Sequence, residues 1–357
     1  MRVHQLVPRL EPGAVGTAVI EGRQALRNAG YESEIIADEI DDRCCDVGVR
    51  SFEELDALVD PSTLLVYHLA IGSAMADRLL HRSDLAARLI VSYHNLTPSA
   101  LLEPWDPHLG PAIAWGRQQL RRLARQARLG IAMSEFSERE LRDAGMANTV
   151  TVPVLVDPTA LARADAERVT ELRSTAGVTW LYVSRIAPHK AQHALVQALA
   201  LARVAHDPGA RLWLCGSSAS DRYLAALRGL VDSLDLGSAV ELTGSVTSAE
   251  LAARFAAADV FVSLSDHEGF GVPFLEAWQH DLPVVAFGSS AVPETVGDAG
   301  IVLADKAPAT VVAAVERVVR DHELARVLVD RGRRRLAGPF DPTMIRRRFV
   351  EAIESAQ

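Results

Sequence analysis

Two glutamates, Glu268 and Glu276, flank a Gly-Phe-Gly-Val-Pro turn in the stretch SDHEGFGVPFLEAWQ (265–279), directly after an apolar run. Pro273 suits the first position of a helix, where its missing N–H is no loss and its fixed φ is already helical. The N–H groups of Gly269, Phe270, Gly271 and Val272 would then point beyond the helix start. Unsatisfied donors and the helix dipole together favour an anion there. Glu276, early in that helix, could accept two hydrogen bonds from a vicinal diol such as a ribose, the role of the acidic residue in dinucleotide sites. Solvated glutamates on a helix start are the competing reading.

A second group lies in VTWLYVSRIAPHKAQH (178–193), where an apolar strand ends and Arg185 and Lys190 follow in the loop. A guanidinium that binds in a fork and an ammonium that acts as a point charge make a natural diphosphate clamp. The chain contains only two lysines, Lys190 and Lys306. A lysine at such a position is therefore informative, although a solvated loop would also place charges there. His94, in RLIVSYHNLTP (88–98), stands at the carboxyl end of a strand before a proline turn, and a structural histidine is as good a reading as a functional one. His68 has a similar place with weaker support. Gly13 and Gly16 lie in a loop between the first strand and first helix that could wrap a sugar or its phosphate, but the G-x-G-x-x-G fingerprint is absent.

Other chemistries find little support. No H-E-x-x-H or D-x-D occurs, and Asp266-His267-Glu268 is contiguous, so no metal site is expected. Three cysteines, two of them adjacent (Cys44, Cys45), give neither a disulfide framework nor a C-x-x-C spacing. G-x-S-x-G and Walker sequences are missing. A net charge of −9 argues against a nucleic-acid partner, which would need a basic face. The arginine-rich segment 117–128 could touch an anionic membrane surface, or could be a packed helix with solvated arginines. An N-terminus without an apolar h-region, and no apolar run long enough to span a bilayer, lead us to expect a cytoplasmic chain.

These residues need a scaffold, and the pattern supplies one. With 357 residues, 49% of them hydrophobic, the chain is long enough for two cores. Short β-rich runs alternate with amphipathic helical segments from end to end, about six strands in each half. This is the pattern of α/β sheets with parallel strands covered on both faces. The extended stretch VPVLVDPTALA (152–162) marks the boundary. We expect an N-terminal Rossmann-like domain over 1–157, a C-terminal one over 158–338, and a last helix in 339–357 that returns to the first domain. Ligands in such sheets bind beyond the carboxyl ends of the strands.

The segment EGFGVPFLE resembles the E-x7-E signature of the family 4 retaining glycosyltransferases, which have the GT-B fold of two Rossmann-like domains facing across a cleft. SRIAPHKAQHALVQAL, the run 241–287 and PETVGDAGIVL are similar to further blocks of that family, and YHNLTP and the glycine loop are like its N-terminal domain. The resemblance is strongest over 178–303. It implies transfer of a hexose from a nucleotide-diphosphate sugar, GDP-mannose or a UDP-hexose, to a saccharide or lipid-linked acceptor, without a metal or other cofactor. It further implies that Arg185 and Lys190 neutralise the diphosphate and Glu276 holds the ribose. Glu268 would reach sugar hydroxyls, and the amides of Phe270, Gly271 and Val272 would lie near sugar and phosphates. Backbone around Val246 would face the base, and His94 would sit beside the sugar. His189 and Ala191 stand where the family usually has glutamate and glycine, which bears on donor preference. Rival expectations are an epimerase or phosphorylase of the same fold, or a two-lobed sugar-binding protein without catalysis.

Overall fold

A computed structural model describes residues 1–107, 109–161, 163–173 and 176–357. Ala162, the last residue of the boundary stretch, lies outside the described residues. The chain forms two compact units. The first comprises Met1–Ser99, His108–Val156 and Phe340–Gln357, and the second Ala100–Pro107 and Asp157–Pro339.

The sheet of the first unit has seven strands: β1 (Val3–Leu10), β2 (Ile35–Ile40), β3 (Val49–Ser51), β4 (Leu64–Leu69), β5 (Leu89–Tyr93), β6 (Leu129–Ala132) and β7 (Thr149–Thr151). They pair in the order β3-β2-β1-β4-β5-β6-β7, every pair parallel. Every residue of β4 is buried, as a strand covered on both faces requires. Two differences from the sequence reading have simple causes. The edge strand β3 is three residues, half-buried to exposed, and carries no apolar signal. The last strand is shorter than the run TVTVPVLV: Val152 donates one more N–H to Ala132 O (2.8 Å), and Pro153 has no N–H to continue. The terminal helix Pro342–Ser355 buries Ile345, Phe349 and Ile353 and pairs Arg346 with Glu21 (2.8 Å) of the first helix, Ala14–Asn28.

In the second unit the strands are β8 (Thr179–Val183), β9 (Arg211–Cys215), β10 (Val240–Gly244), β11 (Val260–Ser263), β12 (Val284–Phe287) and β13 (Ile301–Leu303). Their order is β10-β9-β8-β11-β12-β13, again all parallel. Each sheet thus reverses its winding once, between β1 and β4 in the first and between β8 and β11 in the second. Loops on either side of such a reversal diverge and leave a crevice at the strands' carboxyl ends.

The helix Leu109–Gln126 buries Ile113, Leu120 and Leu123, while Arg121, Arg122 and Arg125 are exposed. Among the described residues no helix is long and apolar enough to cross a membrane.

One packing contact fixes the helix that follows the glycine turn. Trp278, on the helix Val272–Gln279, is fully buried and donates its indole N–H to Ala299 O (3.2 Å). Burial of an indole removes on the order of 200 Å² from water, roughly 5 kcal/mol as an upper bound. Gly332, on the helix His322–Leu336, lies so close that a Cβ there would fall 2.3 Å from the indole Cδ1. Gly332→Ala should therefore cost about 1–3 kcal/mol by overpacking. Thermal denaturation checks this, and an unchanged melting temperature would mean that the two helices do not meet at Trp278.

Candidate functional site

Residues 265–268, between β11 and the helix Val272–Gln279, are held from several directions. Ser289 Oγ donates to Ser265 O (2.6 Å), and Asp266 N–H to His189 O (2.8 Å). Ala291 N–H reaches Glu268 O (3.2 Å). Tyr182 OH meets Ser265 Oγ, Ser290 Oγ meets His267 Nδ1 (3.1 Å), and Lys306 pairs with Asp266. The loop is therefore pinned before any ligand arrives, as a preorganised site demands.

Lys190, in the 3₁₀ turn Pro188–Lys190 after β8, places Nζ 2.7 Å from Glu268 Oε1. Ser265 Oγ donates to that same oxygen at 2.7 Å. The two side chains are only 18% and 12% exposed, so the pair is shielded from solvent screening. Glu268 Oε2 takes no hydrogen bond among the described residues. Arg185, at the end of β8, is exposed, and its carbonyl is held by the Gln192 amide (3.0 Å). Both lysines of the chain thus act on this one loop, through Glu268 and Asp266.

Gly271 caps the helix Val272–Gln279 at φ 96°, and a Cβ there would also strike the Phe274 ring at 2.5 Å. Glycine is thus demanded twice at that position. Pro273 is the second helical residue rather than the first, because Gly271 takes the cap. No side chain caps this helix, and the N–H groups of Gly271 and Val272 make no hydrogen bond among the described residues. Phe270 is buried, and Gly269 is half-buried beside it. Glu276 is half-buried, its carboxylate has no hydrogen-bond partner among the described residues, and burial raises its pKa to about 7. Val246 is half-buried in the loop between β10 and the helix Ser248–Ala257.

The two departures from the family pattern have physical readings. His189 is half-buried with Nδ1 unpartnered; burial first, then Lys190, His267 and Arg185, push its pKa down to about 2, so it stays neutral. Ala191 is fully buried at φ 51°, a left-handed conformation that costs an alanine about 1–2 kcal/mol. Glycine would adopt it freely.

In the first unit Gly13 caps the first helix and Gly16 lies in its first turn. A Cβ on Gly16 would sit 2.0 Å from Glu11 O, so packing alone demands glycine there. Around His94 the neighbours Tyr93 and Asn95 turn to Glu140: Tyr93 OH donates at 2.9 Å, and Asn95, at φ 68°, donates through Nδ2 at 2.7 Å. His94 instead meets His68, Nε2 to Nδ1 at 2.8 Å, and His68 Nε2 meets Gln5 Oε1 at 2.6 Å. Both imidazoles have pKa values lowered by burial, His94 to about 4. Gln5 is a participant that the motif reading passes over; its signal is a polar residue inside the buried run of β1. His68, Ser92, His94, Met133, Val154 and Phe349 are among the residues that line a cavity. Among the described residues no group of three or more His, Cys, Asp or Glu side chains could hold a metal ion.

Two parallel-sheet α/β units with these strand orders define the GT-B class. Residues 165–335, nearly all of the second unit, match the family described as glycosyl transferases group 1. A GDP-mannose-dependent α-(1-6)-phosphatidylinositol monomannoside mannosyltransferase of Mycobacterium tuberculosis is 35% identical over 164 residues, 43% of this chain and 42% of that protein. A D-inositol 3-phosphate glycosyltransferase of Kineococcus radiotolerans is 33% identical over 231 residues, 58% and 53% of the two chains. The matches thus span about half the length of these relatives or less. The fold extends further: the crystal structure of Anabaena Alr3699/HepE in complex with UDP superposes with a TM-score of 0.80 at 18% identity, covering 99% of this chain and 100% of that one. Sucrose-phosphate synthase from Thermosynechococcus elongatus gives 0.78 at 20% identity, with 99% of each chain covered.

The Lys190–Glu268 pair can be weighed directly. Lys190→Met leaves Glu268 half-desolvated without its cation and should cost about 1–3 kcal/mol, less than the 3–5 of a fully buried pair. Adding Glu268→Gln should recover most of that loss. Denaturant unfolding of the singles and the double checks it, and strictly additive losses would mean that the two do not interact.

Proposed function

We propose that this chain is a retaining hexosyltransferase, moving a hexose from a nucleotide-diphosphate sugar to a hydroxyl of a saccharide or lipid-linked acceptor. The observation that carries the reading is the meeting of Lys190 and Glu268 at the winding reversal of the second sheet, beside an uncapped helix start. Departure of a nucleoside diphosphate concentrates negative charge on its leaving oxygen. Arg185, Lys190 and the N–H groups of Gly271 and Val272 are fixed donors for that charge, each worth roughly 2.7–4 kcal/mol by comparison with oxyanion-hole deletions. The neutralising role falls to these groups rather than to a metal. Glu268, with Oε1 occupied by Lys190 and Ser265, has Oε2 left to accept from a sugar hydroxyl.

A retaining course needs no second carboxylate: the acceptor attacks on the face the diphosphate leaves, and the leaving oxygen takes its proton. The name of the Mycobacterium tuberculosis relative, which prints GDP-mannose dependence, and those of the neighbours solved with UDP or UDP-glucose support a guanosine or uridine nucleotide sugar without choosing between them. Calorimetric titration with UDP, GDP and ADP tests the site. Arg185→Ala/Lys190→Ala should weaken binding roughly 100-fold or more, from two charged hydrogen-bonding groups at about 1.5–3 kcal/mol each. Absence of binding by the wild type, or equal binding by the double variant, would refute the donor site.

Glu276 adds a pH signature. Its folded pKa of about 7 lies above the ordinary 4.5, so the ligand-free protein holds a proton there that the unfolded chain loses. The stability this contributes is full below 4.5 and is lost as pH rises towards 7. A ribose diol needs the ionised form, so nucleotide affinity should rise between pH 6 and 8 with release of a proton. Glu276→Gln should bind more weakly and without that slope. Affinity that falls over the same range in the wild type would contradict the ribose role.

A further inference from the structure

We propose that Gln5 and His68 are positioning residues that fix the tautomer of His94, so that His94 presents an unprotonated Nδ1 as an acceptor for a substrate hydroxyl. The functional half of this rests on the glycosyltransferase reading above; the tautomer itself does not. Three adjacent parallel strands supply the groups: Gln5 from β1, His68 from β4, and His94 directly after β5. Gln5 is fully buried and His68 is 1% exposed, so both are shielded from bulk solvent. Room for the amide is left by Gly22, where even a Cβ would come within 3.4 Å of Gln5 Oε1.

The proton order follows from the acceptor at the buried end. Gln5 Oε1 can only accept, so His68 Nε2 carries its proton and donates at 2.6 Å. A neutral imidazole then has its lone pair on Nδ1, and that nitrogen accepts the Nε2–H of His94 at 2.8 Å. His94 is left with a bare Nδ1, which makes no hydrogen bond among the described residues. Desolvation keeps both rings neutral near pH 7, so the sequence of donors is not scrambled by an extra proton. Orientation of a working histidine by its other ring nitrogen is a general device. Here the orienting group is a second histidine, itself oriented by an amide. Turning that amide over would reverse every donor and put the proton on His94 Nδ1, which makes the proposal decidable.

The test is long-range ¹H–¹⁵N NMR of the imidazoles in the full chain at pH 7, with assignments from His94→Asn and His68→Phe. The expected result is one His94 tautomer, Nε2 protonated and Nδ1 bare, which gives way to a tautomer mixture in His68→Phe and Gln5→Leu. Gln5→Glu, whose carboxylate also only accepts, should keep the wild-type pattern; circular dichroism separates a misfolded variant from an unlocked one. A proton on Nδ1 in the wild type, or an unchanged single tautomer in both His68→Phe and Gln5→Leu, overturns the proposal. Release of nucleoside diphosphate from GDP-mannose or UDP-glucose gives the functional arm. His68→Phe should lower kcat roughly 10–100-fold, the size of effect when a group orienting a histidine is removed, with nucleotide affinity unchanged. An undiminished kcat overturns the positioning role. A wild type that binds no nucleotide refutes the transferase reading and leaves the tautomer result standing.

Discussion

The ion pair between Lys190 and Glu268 is the constraint around which the second unit is arranged. It ties the loop after β8 to the loop after β11, the two strands between which the winding reverses. A charge pair this shielded needs further hydrogen bonds, and Ser265, itself held by Tyr182 and lying in a loop tied down through Ser289, supplies one to Glu268 Oε1. The pair sits beside an uncapped helix start that Trp278 and Gly332 hold in place from the far side. Charge, helix dipole and packing therefore converge on one small volume because the sheet's topology brings their loops there.

The first unit solves a different problem. Its polar chain runs inward through neutral side chains: Gln5, His68, His94. Tyr93 and Asn95 are committed to Glu140, which fixes the backbone from which His94 projects. A lowered pKa here and a raised one at Glu276 have the same origin, since burial disfavours the charged form of either group. One molecule thus holds a histidine and a carboxyl group that burial keeps largely uncharged through mildly acidic conditions.

Much of this was legible in the residues. Alternating apolar runs and amphipathic segments announced parallel sheets, and all but the short β3 had a visible core. Glu268, Lys190, the glycine turn and Glu276 were legible because each residue type is demanded locally, by a turn, a helix start or a charge. The pairing of Lys190 with Glu268 was not, because 78 residues separate them and only strand order brings them together. Gln5 escaped for the same reason: its partner is on β4, and a polar residue in a buried strand has no short-range signature. Lys306 carried no motif, and its tie to Asp266 appears only once β13 is set two places from β11.

The scarcity of lysine has a chemical consequence. Every side-chain amine in the protein stands on the loop 265–268 through an ion pair, and no other lysine exists to compete. Nature has left this chain with arginine for its general surface charge and with primary amines, the N-terminus apart, at a single place. An amine-directed reagent, or an enzyme that acylates lysine, therefore meets a protein whose only lysine side chains are those that hold the loop 265–268. Acylation of either one would remove a charge from that loop rather than from a disposable surface.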